Sequence, residues 1–382
     1  MAKRYFTSES VTSGHPDKVC DLIADSILDE AIRQDPYAHM AVEATIKDDL
    51  ILVYGEAGTT AKIDYEKIAL GVMKKIGYNE EYHVLTKVNK QSPEINNAVA
   101  HDEISAGDQG IMYGYATNET AEFLPMPFAV ATTFIQRLEE LNCPMLMPDA
   151  KAQVSYDYDT DRITTFLCSV QHDADADLKS VRKVIKSLMV LVASEYGLNT
   201  DFEMLVNPTG RFVIGGSKAD CGVTGRKLAC DTYGGIARIG GGALSGKDPS
   251  KVDRSAAYMA RKIAVDLVRA GYCDKCEIQI AYAIGKARPV SVVAETFGTA
   301  KVCPECIDRY IKANYDLTPQ GIIKALHLLD VDYNLVSSGG HFGKDYLPWE
   351  MDDDELLDEI YGTKNVDRDY AEWLNKRFSE KK

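Results

Sequence analysis

A histidine, a carboxylate and a lysine open the first strong helical pattern of this chain, Gly14-His15-Pro16-Asp17-Lys18. A helix N-terminus attracts anions, so Asp17 by itself could be no more than a dipole-favoured residue. An imidazole beside it, with a proline setting the turn, adds a group able to donate to an oxyanion near neutral pH. A second concentration of chemistry lies in residues 207–262. Ten cations (Arg211, Lys218, Arg226, Lys227, Arg238, Lys247, Lys251, Arg254, Arg261, Lys262) stand there among four acids (Asp220, Asp231, Asp248, Asp253), a balance of +6. The same stretch holds 11 of the 28 glycines. Cations interleaved with glycines give a polyphosphate both charge and approachable backbone N–H groups. A solvated flexible loop is the blander reading, and the charge contrast with the rest of the chain argues against it.

Within that stretch GGALSGK, residues 241–247, has the spacing of a phosphate-binding P-loop, GxxxxGK. The next residue is Asp248, without the hydroxyl that would bind Mg²⁺, and no strand clearly precedes the motif. A Walker A loop is therefore rejected, while Lys247 and Lys251 as point charges and Asp253 as a metal ligand remain compatible with phosphate binding. Two CxxC pairs, Cys273/Cys276 and Cys303/Cys306, flank two strand-like segments. If those segments form a hairpin the pairs could meet, and four thiolates could hold a structural zinc ion. Reduced, partly buried cysteines are the favoured alternative, because nine cysteines do not suit a disulfide framework.

The elements that must position these groups follow from periodicity. Val19, Ile23 and Ile27 form an i, i+4 stripe over a helix from about Pro16 to Gln34, ended by Asp35-Pro36. Residues 40–46 and 50–56 read as a hairpin around Asp48-Asp49, with Met40, Val42, Ala44 and Ile46 on one face and Glu43 on the other. A helix over 63–76 stops at Gly77. The helix–strand–strand–helix rhythm recurs with strands at 153–158 and 162–171 before a helix at 176–196. It recurs again with a helix at 251–270, strands at 276–284 and 289–297, and a helix from near Cys303. Residues 91–110 break the rhythm and read as an active-site lid or a disordered tip, the lid being favoured. The acidic run 350–359 reads as a solvated face or a helix start.

The 382 residues suggest two or three domains at ~150 residues each. The net charge of −15 is the sum of the +6 stretch and a −21 remainder. It argues against a nucleic-acid or anionic-membrane partner. The sequence has no apolar run of spanning length, and Phe6-Thr7-Ser8-Glu9 stands where a secretory apolar region would follow Lys3 and Arg4. A cytoplasmic location is expected.

Long strings then carry a resemblance: FTSESVTSGHPDK at 6–18, AGDQGIMYGYATNE at 106–119, DAKAQV at 149–154, NPTGRFVIGG at 207–216, DCGVTGRK at 220–227, GGGALSGKDPSKVDRSAAY at 240–258 and GHFGKDYLPWE at 340–350. They resemble the S-adenosylmethionine synthetase family over nearly the whole chain. The resemblance implies that the methionine sulfur attacks C5′ of ATP and displaces the triphosphate, which is then hydrolysed to pyrophosphate and phosphate. Matched motif by motif, His15 resembles the histidine beside the leaving-group oxygen. Lys151, Arg226, Lys227 and Lys247 resemble the triphosphate cradle, with His15, Lys151, Arg226 and Lys247 as the catalytic group. Asp149, Arg211, Phe212, Asp220 and Ala243 complete the ATP contacts, Phe212 as an adenine platform. Glu56, Gln91, Asp220 and Lys251 resemble the methionine contacts. Asp17 and Asp253 resemble the Mg²⁺ ligands, with two Mg²⁺ ions per site, and Glu43 the K⁺ ligand. Gln91 opens QSPEINNAVAH, which is similar to the family's mobile loop; the stretch 80–90 before it is shorter than in many relatives.

The implied fold is α+β, three similar α/β units in a pseudo-threefold arrangement with sheets packed at a dimer interface. The expected boundaries are 1–93, a mobile loop and linker at 94–105, 106–212 and 213–382. The resemblance further implies a homodimer with shared active sites, assembling to a homotetramer. Two other readings are kept: another ATP-dependent transferase that moves phosphate, and a noncatalytic relative that retains the fold.

Overall fold

Apolar periodicity, capping and turn chemistry account for most elements of the computed structural model, which describes residues 5–90 and 105–352. After β1 (Tyr5–Val11), α1 (Pro16–Gln34) starts with His15 as N-cap and Pro16 in its first turn. It stops at Asp35, held extended by the following Pro36. Its apolar face lies on β2 (His39–Lys47) and β3 (Leu50–Gly58), an antiparallel hairpin closed by Asp48-Asp49, with Asp48 at φ 53°. Aspartate tolerates that left-handed conformation better than most residues. Met40, Val42, Ala44 and Ile46 are buried against α1, which leaves Glu43 on the opposite, half-buried face as the alternation requires. Asp64 caps α2 (Tyr65–Ile76) by accepting from the Lys67 N–H, and Gly77 ends it at φ 112°. β4 (His83–Asn89) then returns parallel to β3.

Further along the chain are β5 (Gly110–Thr117), α3 (Met126–Glu140), β6 (Leu146–Asp157), β7 (Arg162–His172), α4 (Leu178–Glu195) and β8 (Glu203–Val206). Next come the two-residue β9 (Gly222–Val223), the single-turn α5 (Leu228–Asp231), α6 (Val252–Arg269), β10 (Lys275–Tyr282) and β11 (Ser291–Glu295). Three short helices follow, α7 (Pro304–Asn314), α8 (Pro319–Ala325) and α9 (Tyr333–Ser337).

The described strands form three sheets, in the orders β4-β3-β2-β9, β1-β6-β7-β8 and β11-β10-β5. The fold is α+β. Each sheet takes one strand from a distant stretch of chain: β1 pairs with β6, β9 with β2, and β5 with β10. Periodicity finds strands but not their distant partners, and this exchange was not foreseen. Gly114 lets β5 lie directly on α6, since a Cβ there would fall 2.0 Å from the Ala260 carbonyl carbon.

Two apolar cores result. One is continuous through α1, the first hairpin, α2, α6 and the β10 sheet; the other is formed by α3, α4, β6 and β7 with Phe202 and Val206 at β8. The GHFGKDYLPWE stretch belongs to the first. Trp349 stacks on Tyr258 at 3.8 Å, and Glu350 receives the Arg261 guanidinium at 2.7 Å.

The CxxC expectation is corrected. The two pairs straddle the starts of β10 and α7, whose leading segments are joined by the Lys301 N–H donating to the Tyr272 carbonyl at 2.8 Å. Yet Cys273 and Cys276 are buried, whereas Cys303 and Cys306 are exposed and disulfide-bonded to each other. Among the described residues no three metal-ligating side chains gather, so the four sulfurs do not form a zinc site. Neither are all four thiols reduced.

Candidate active site

Four aspartates one helical turn apart, Asp17, Asp21, Asp25 and Asp29, run along one side of α1. The first three are buried and each accepts a backbone N–H from the glycine-rich stretch: Val223 to Asp17 at 2.9 Å, Gly225 to Asp21 at 2.8 Å, and Gly246 to Asp25 at 2.8 Å. Asp29 accepts from Tyr333 and Asn334. The i, i+4 spacing places all four carboxylates on one face. α1 thereby fixes two basic loops, 222–227 and 243–247, side by side. Gly225, at φ +75°, leaves no room for a Cβ, which would stand 2.4 Å from that of Ala243.

Around the start of α1 the first group of side chains converges. The Asp17 N–H donates to His15 Nδ1 at 3.2 Å. A backbone N–H can only donate, so Nδ1 carries the lone pair and the proton sits on Nε2. Burial, then the Lys227 charge, pushes the His15 pKa down to about 4, against opposing pulls from Asp17 and Asp220. The imidazole is therefore neutral at pH 7, with an N–H donor, and Lys151 is also within electrostatic reach. Asp17 Oδ2 accepts from Lys227 Nζ at 2.5 Å, and Lys151 pairs with Glu9 at 2.5 Å. Asp149 accepts the Gly216 N–H at 2.8 Å; burial raises its pKa to about 6, Gly216 opposing and Asp220 adding. Arg226 lies 3.8 Å from Cys221 Sγ, beside Asp220.

A second group surrounds β2. Lys247 bridges to the Ala41 backbone, and its ammonium pairs with Asp253 at 2.6 Å. Lys251 pairs with Asp248 at 3.3 Å. Glu43 accepts from the Tyr54 hydroxyl at 3.1 Å, and Glu56 stands opposite Ala41 in the β2–β3 register. The glycines at 242 and 110 crowd Asp253: a Cβ at Gly242 would lie 2.4 Å from Asp253 Oδ1, and one at Gly110 3.5 Å.

Arg211 and Phe212 belong to neither group. Arg211 donates to the Ala174 carbonyl, while the Phe212 carbonyl accepts the His172 backbone N–H and the Phe212 N–H donates to the His172 ring at the end of β7. Gln91 and residues 91–104 of the lid expected at 91–110 lie outside the described residues.

Not all of the basic excess faces this site. Arg254 and Arg261 are fully buried, paired with Asp25 at 2.5 Å and with Glu350, and Lys262 pairs with Asp266 at 2.8 Å. Sequence reasoning missed these, as it missed Lys18, whose ammonium lies between Asp21 at 3.0 Å and Asp231 at 2.6 Å. Burial, the largest single influence, pulls the Lys18 pKa down, but the two carboxylates together overcome it and hold the ammonium above its ordinary value. The signal that could have found this network is the four-residue repeat of aspartates on a helix that also carries an apolar face.

The arrangement provides a neutral imidazole donor, cations on two tethered loops, and carboxylates that run from buried Asp17 to partly exposed Asp253. Three family models match the chain in succession, described as the S-adenosylmethionine synthetase N-terminal domain over residues 3–101, the central domain over 103–212 and the C-terminal domain over 214–351. The chain is 48% identical over 367 residues to the S-adenosylmethionine synthase of Mesoplasma florum, covering 91% of this chain and 97% of that protein. It is 46% identical over 378 residues to the S-adenosylmethionine synthases of Mycoplasma capricolum subsp. capricolum and Mycoplasma mycoides subsp. mycoides, covering 94% of this chain and 98% of each.

Proposed function

The chain belongs to the S-adenosylmethionine synthetase family, and from that premise we propose that it joins methionine to ATP. The methionine sulfur bonds to C5′ as the C5′–oxygen bond breaks. S-adenosylmethionine forms, and the released triphosphate is hydrolysed to pyrophosphate and phosphate. A thioether has no proton to lose, so the first step needs no general base. It needs donors and cations where the leaving oxygen gains charge, and carboxylates where the sulfonium does.

The observation that carries this reading is the state of His15: neutral, Nδ1 occupied by the Asp17 N–H, Nε2–H left as a donor, with Lys151 and Lys227 nearby. Lys227, Arg226, Lys151 and Lys247 cradle the triphosphate. Asp149, Arg211, Phe212, Asp220 and Ala243 contact ATP, and Glu56, Gln91, Asp220 and Lys251 contact methionine.

Asp17 and Asp253 fit Mg²⁺: both present hard oxygen donors, and the space beside Asp253 is one that a Cβ at Gly242 would fill. No three ligating side chains gather among the described residues, which suits a metal shared with phosphate oxygens and water. Mg²⁺, two per site, would neutralise triphosphate charge when bound. Glu43, half-buried and hydrogen-bonded to Tyr54, would hold K⁺.

Each proposed Mg²⁺ ligand is paired with a proposed triphosphate cation, Asp17 with Lys227 and Asp253 with Lys247. Asp17 and Asp253 would be free to hold the metal as Lys227 and Lys247 turn to the triphosphate, leaving no charge uncompensated.

The units 1–93, 106–212 and 213–382 are supported by the three successive family domains, and each of the three sheets borrows one strand across those bounds; the linker expected at 94–105 lies, apart from Ser105, outside the described residues. The sheet faces away from the cores carry exposed Leu50, Leu85, Ile111 and Val293. That supports pseudo-threefold units packed sheet to sheet in a homodimer with shared sites, and dimers pairing as tetramers. Among the described residues no helix is long and apolar enough to cross a membrane, in keeping with the cytoplasmic location proposed.

Incubation with ATP, methionine, Mg²⁺ and K⁺, resolved by mass spectrometry, is expected to give S-adenosylmethionine, pyrophosphate and phosphate. ADP or AMP as sole nucleotide product would favour a phosphate-transferring enzyme, and no product at saturating substrates a noncatalytic relative. His15→Ala is expected to lower turnover by about 10²-fold or more while nucleotide still binds, as for a lost oxyanion donor.

A further inference from the structure

The parallel ladder between β7 and β8 ends at Cys168 and Val206, and the segment carrying Arg211 and Phe212 then leaves the sheet. Side chains continue the pairing where the backbone ladder stops. Asn207 donates to the Val170 carbonyl at 2.9 Å and accepts the Val170 N–H at 2.8 Å. Gln171 donates to the Val213 carbonyl at 3.0 Å. Arg182 holds the Val206 and Asn207 carbonyls at 3.0 and 2.8 Å.

His172 lies at the centre of this zipper and is completely buried. Its backbone N–H donates to the Phe212 carbonyl at 2.9 Å, and its ring Nε2 faces the Phe212 N–H at 3.1 Å. Nδ1 faces the Asp173 carbonyl at 2.8 Å. A carbonyl only accepts and an N–H only donates, so one tautomer satisfies both ends: protonated at Nδ1, lone pair on Nε2. Each polar atom of the ring thus meets its complement, and the Phe212 backbone is gripped on both its N–H and its carbonyl.

We propose that His172 is a positioning residue for the nucleotide, setting the height and tilt of the Phe212 ring by clamping its peptide to the end of β7. The proposal rests on the reading of Phe212 as the adenine platform. A ring used for stacking must be held close to its productive geometry by a fixed support, and β7 supplies that support. Removing the imidazole leaves the Phe212 N–H without its acceptor and frees the segment to move.

The test compares three variants of His172 with Phe212→Ala, measuring KM for ATP, KM for methionine, kcat and the thermal midpoint. Glutamine can place an acceptor where Nε2 stands, whereas asparagine reaches only the Nδ1 position. His172→Ala and His172→Asn are therefore expected to raise KM for ATP by about tenfold, a change of ~1.4 kcal/mol. KM for methionine should change less than about threefold, and His172→Gln should recover most of the ATP affinity. Equal defects in His172→Gln and His172→Asn, or matched changes in both KM values, would overturn the proposal. If His172→Ala does not fold, the glutamine–asparagine contrast decides alone. Should Phe212→Ala leave KM for ATP unchanged, the adenine-platform reading fails, whatever the His172 variants do. A raised value there, with all His172 variants normal, removes His172 only.

Discussion

The two cores bury different things among their apolar side chains. The core of α3, α4, β6 and β7 is built on aliphatic and aromatic contacts, such as Phe134 against Phe166 at 4.9 Å. The larger core carries ions: Lys18 between Asp21 and Asp231, Arg254 on Asp25, Arg261 on Glu350, all nearly or wholly shielded from water. Apolar contacts are non-directional and stabilise whatever brings them together. A buried ion pair fixes one arrangement, and its desolvation cost makes it weak evidence for stability. Here the ionic core underlies the loops that would hold phosphates, and Asp21 and Asp25 each join a buried cation to a backbone N–H of those loops. The loops over α1 are tied down by buried charged groups, whereas the other unit has an apolar core and uses uncharged side-chain hydrogen bonds, with Arg182, at the edge where the Phe212 segment leaves the sheet.

That contrast can be broken from the ionic side first. Asp25→Ala leaves Arg254 buried without its carboxylate and the Gly246 N–H without an acceptor. A loss of about 3–5 kcal/mol in unfolding free energy is expected, with turnover falling as the Lys247 loop loosens. The double variant Asp25→Leu with Arg254→Met should regain most of the stability but not the turnover. Recovery of both would mean that the ions serve the fold alone.

A smaller effect is expected where the ionic style reaches the site surface. Burial raises the Asp149 carboxyl to about 6 in the folded chain, against about 3.9 unfolded. Between those values the folded state binds the extra proton, so this group favours folding below about pH 4. That contribution is lost as pH rises through about 6. Asp149→Asn, which keeps an acceptor for Gly216, should then be more stable than the parent at pH 7.5 by something on the order of 2 kcal/mol. The gain should vanish near pH 4, while turnover falls because the proposed ATP contact loses its charge. A gain independent of pH across that range would show that ionisation is not its source.

Phe166→Leu, in the apolar core, should cost the least, about 1 kcal/mol, and leave both KM values unchanged. A rise in KM for ATP alone would mean that this core positions the site as directly as the ionic one does.

Much of the scaffold was legible in the sequence because it follows local rules. The apolar stripe of α1, the Asp48-Asp49 turn, the stop at Gly77 and the hairpin between the CxxC pairs depend on neighbours a few residues apart. Less of the site was legible, because its order comes from distant contacts. Arg254 and Arg261 are indistinguishable by charge from Lys227 and Lys247, and only burial separates framework from site. The aspartates of α1 resemble the polar face of any amphipathic helix until the glycine-rich loops are brought against them. His172 acquires its partner only because β8 ends where it does.

The aspartates of α1 also make the helix a ruler. An α-helix advances ~1.5 Å per residue, so carboxylates four apart stand ~6 Å from one another, and Asp17 and Asp25 are ~12 Å apart. Those graduations set the separation of the 222–227 and 243–247 loops, and with it the span of the triphosphate that the two loops are proposed to grip together. A ruler cannot be lengthened by one mark. A single inserted residue would turn every later carboxylate by about 100° and carry it away from its loop. Length variation among functional relatives is therefore expected outside residues 17–29, in connections such as 59–64 that carry no such graduation.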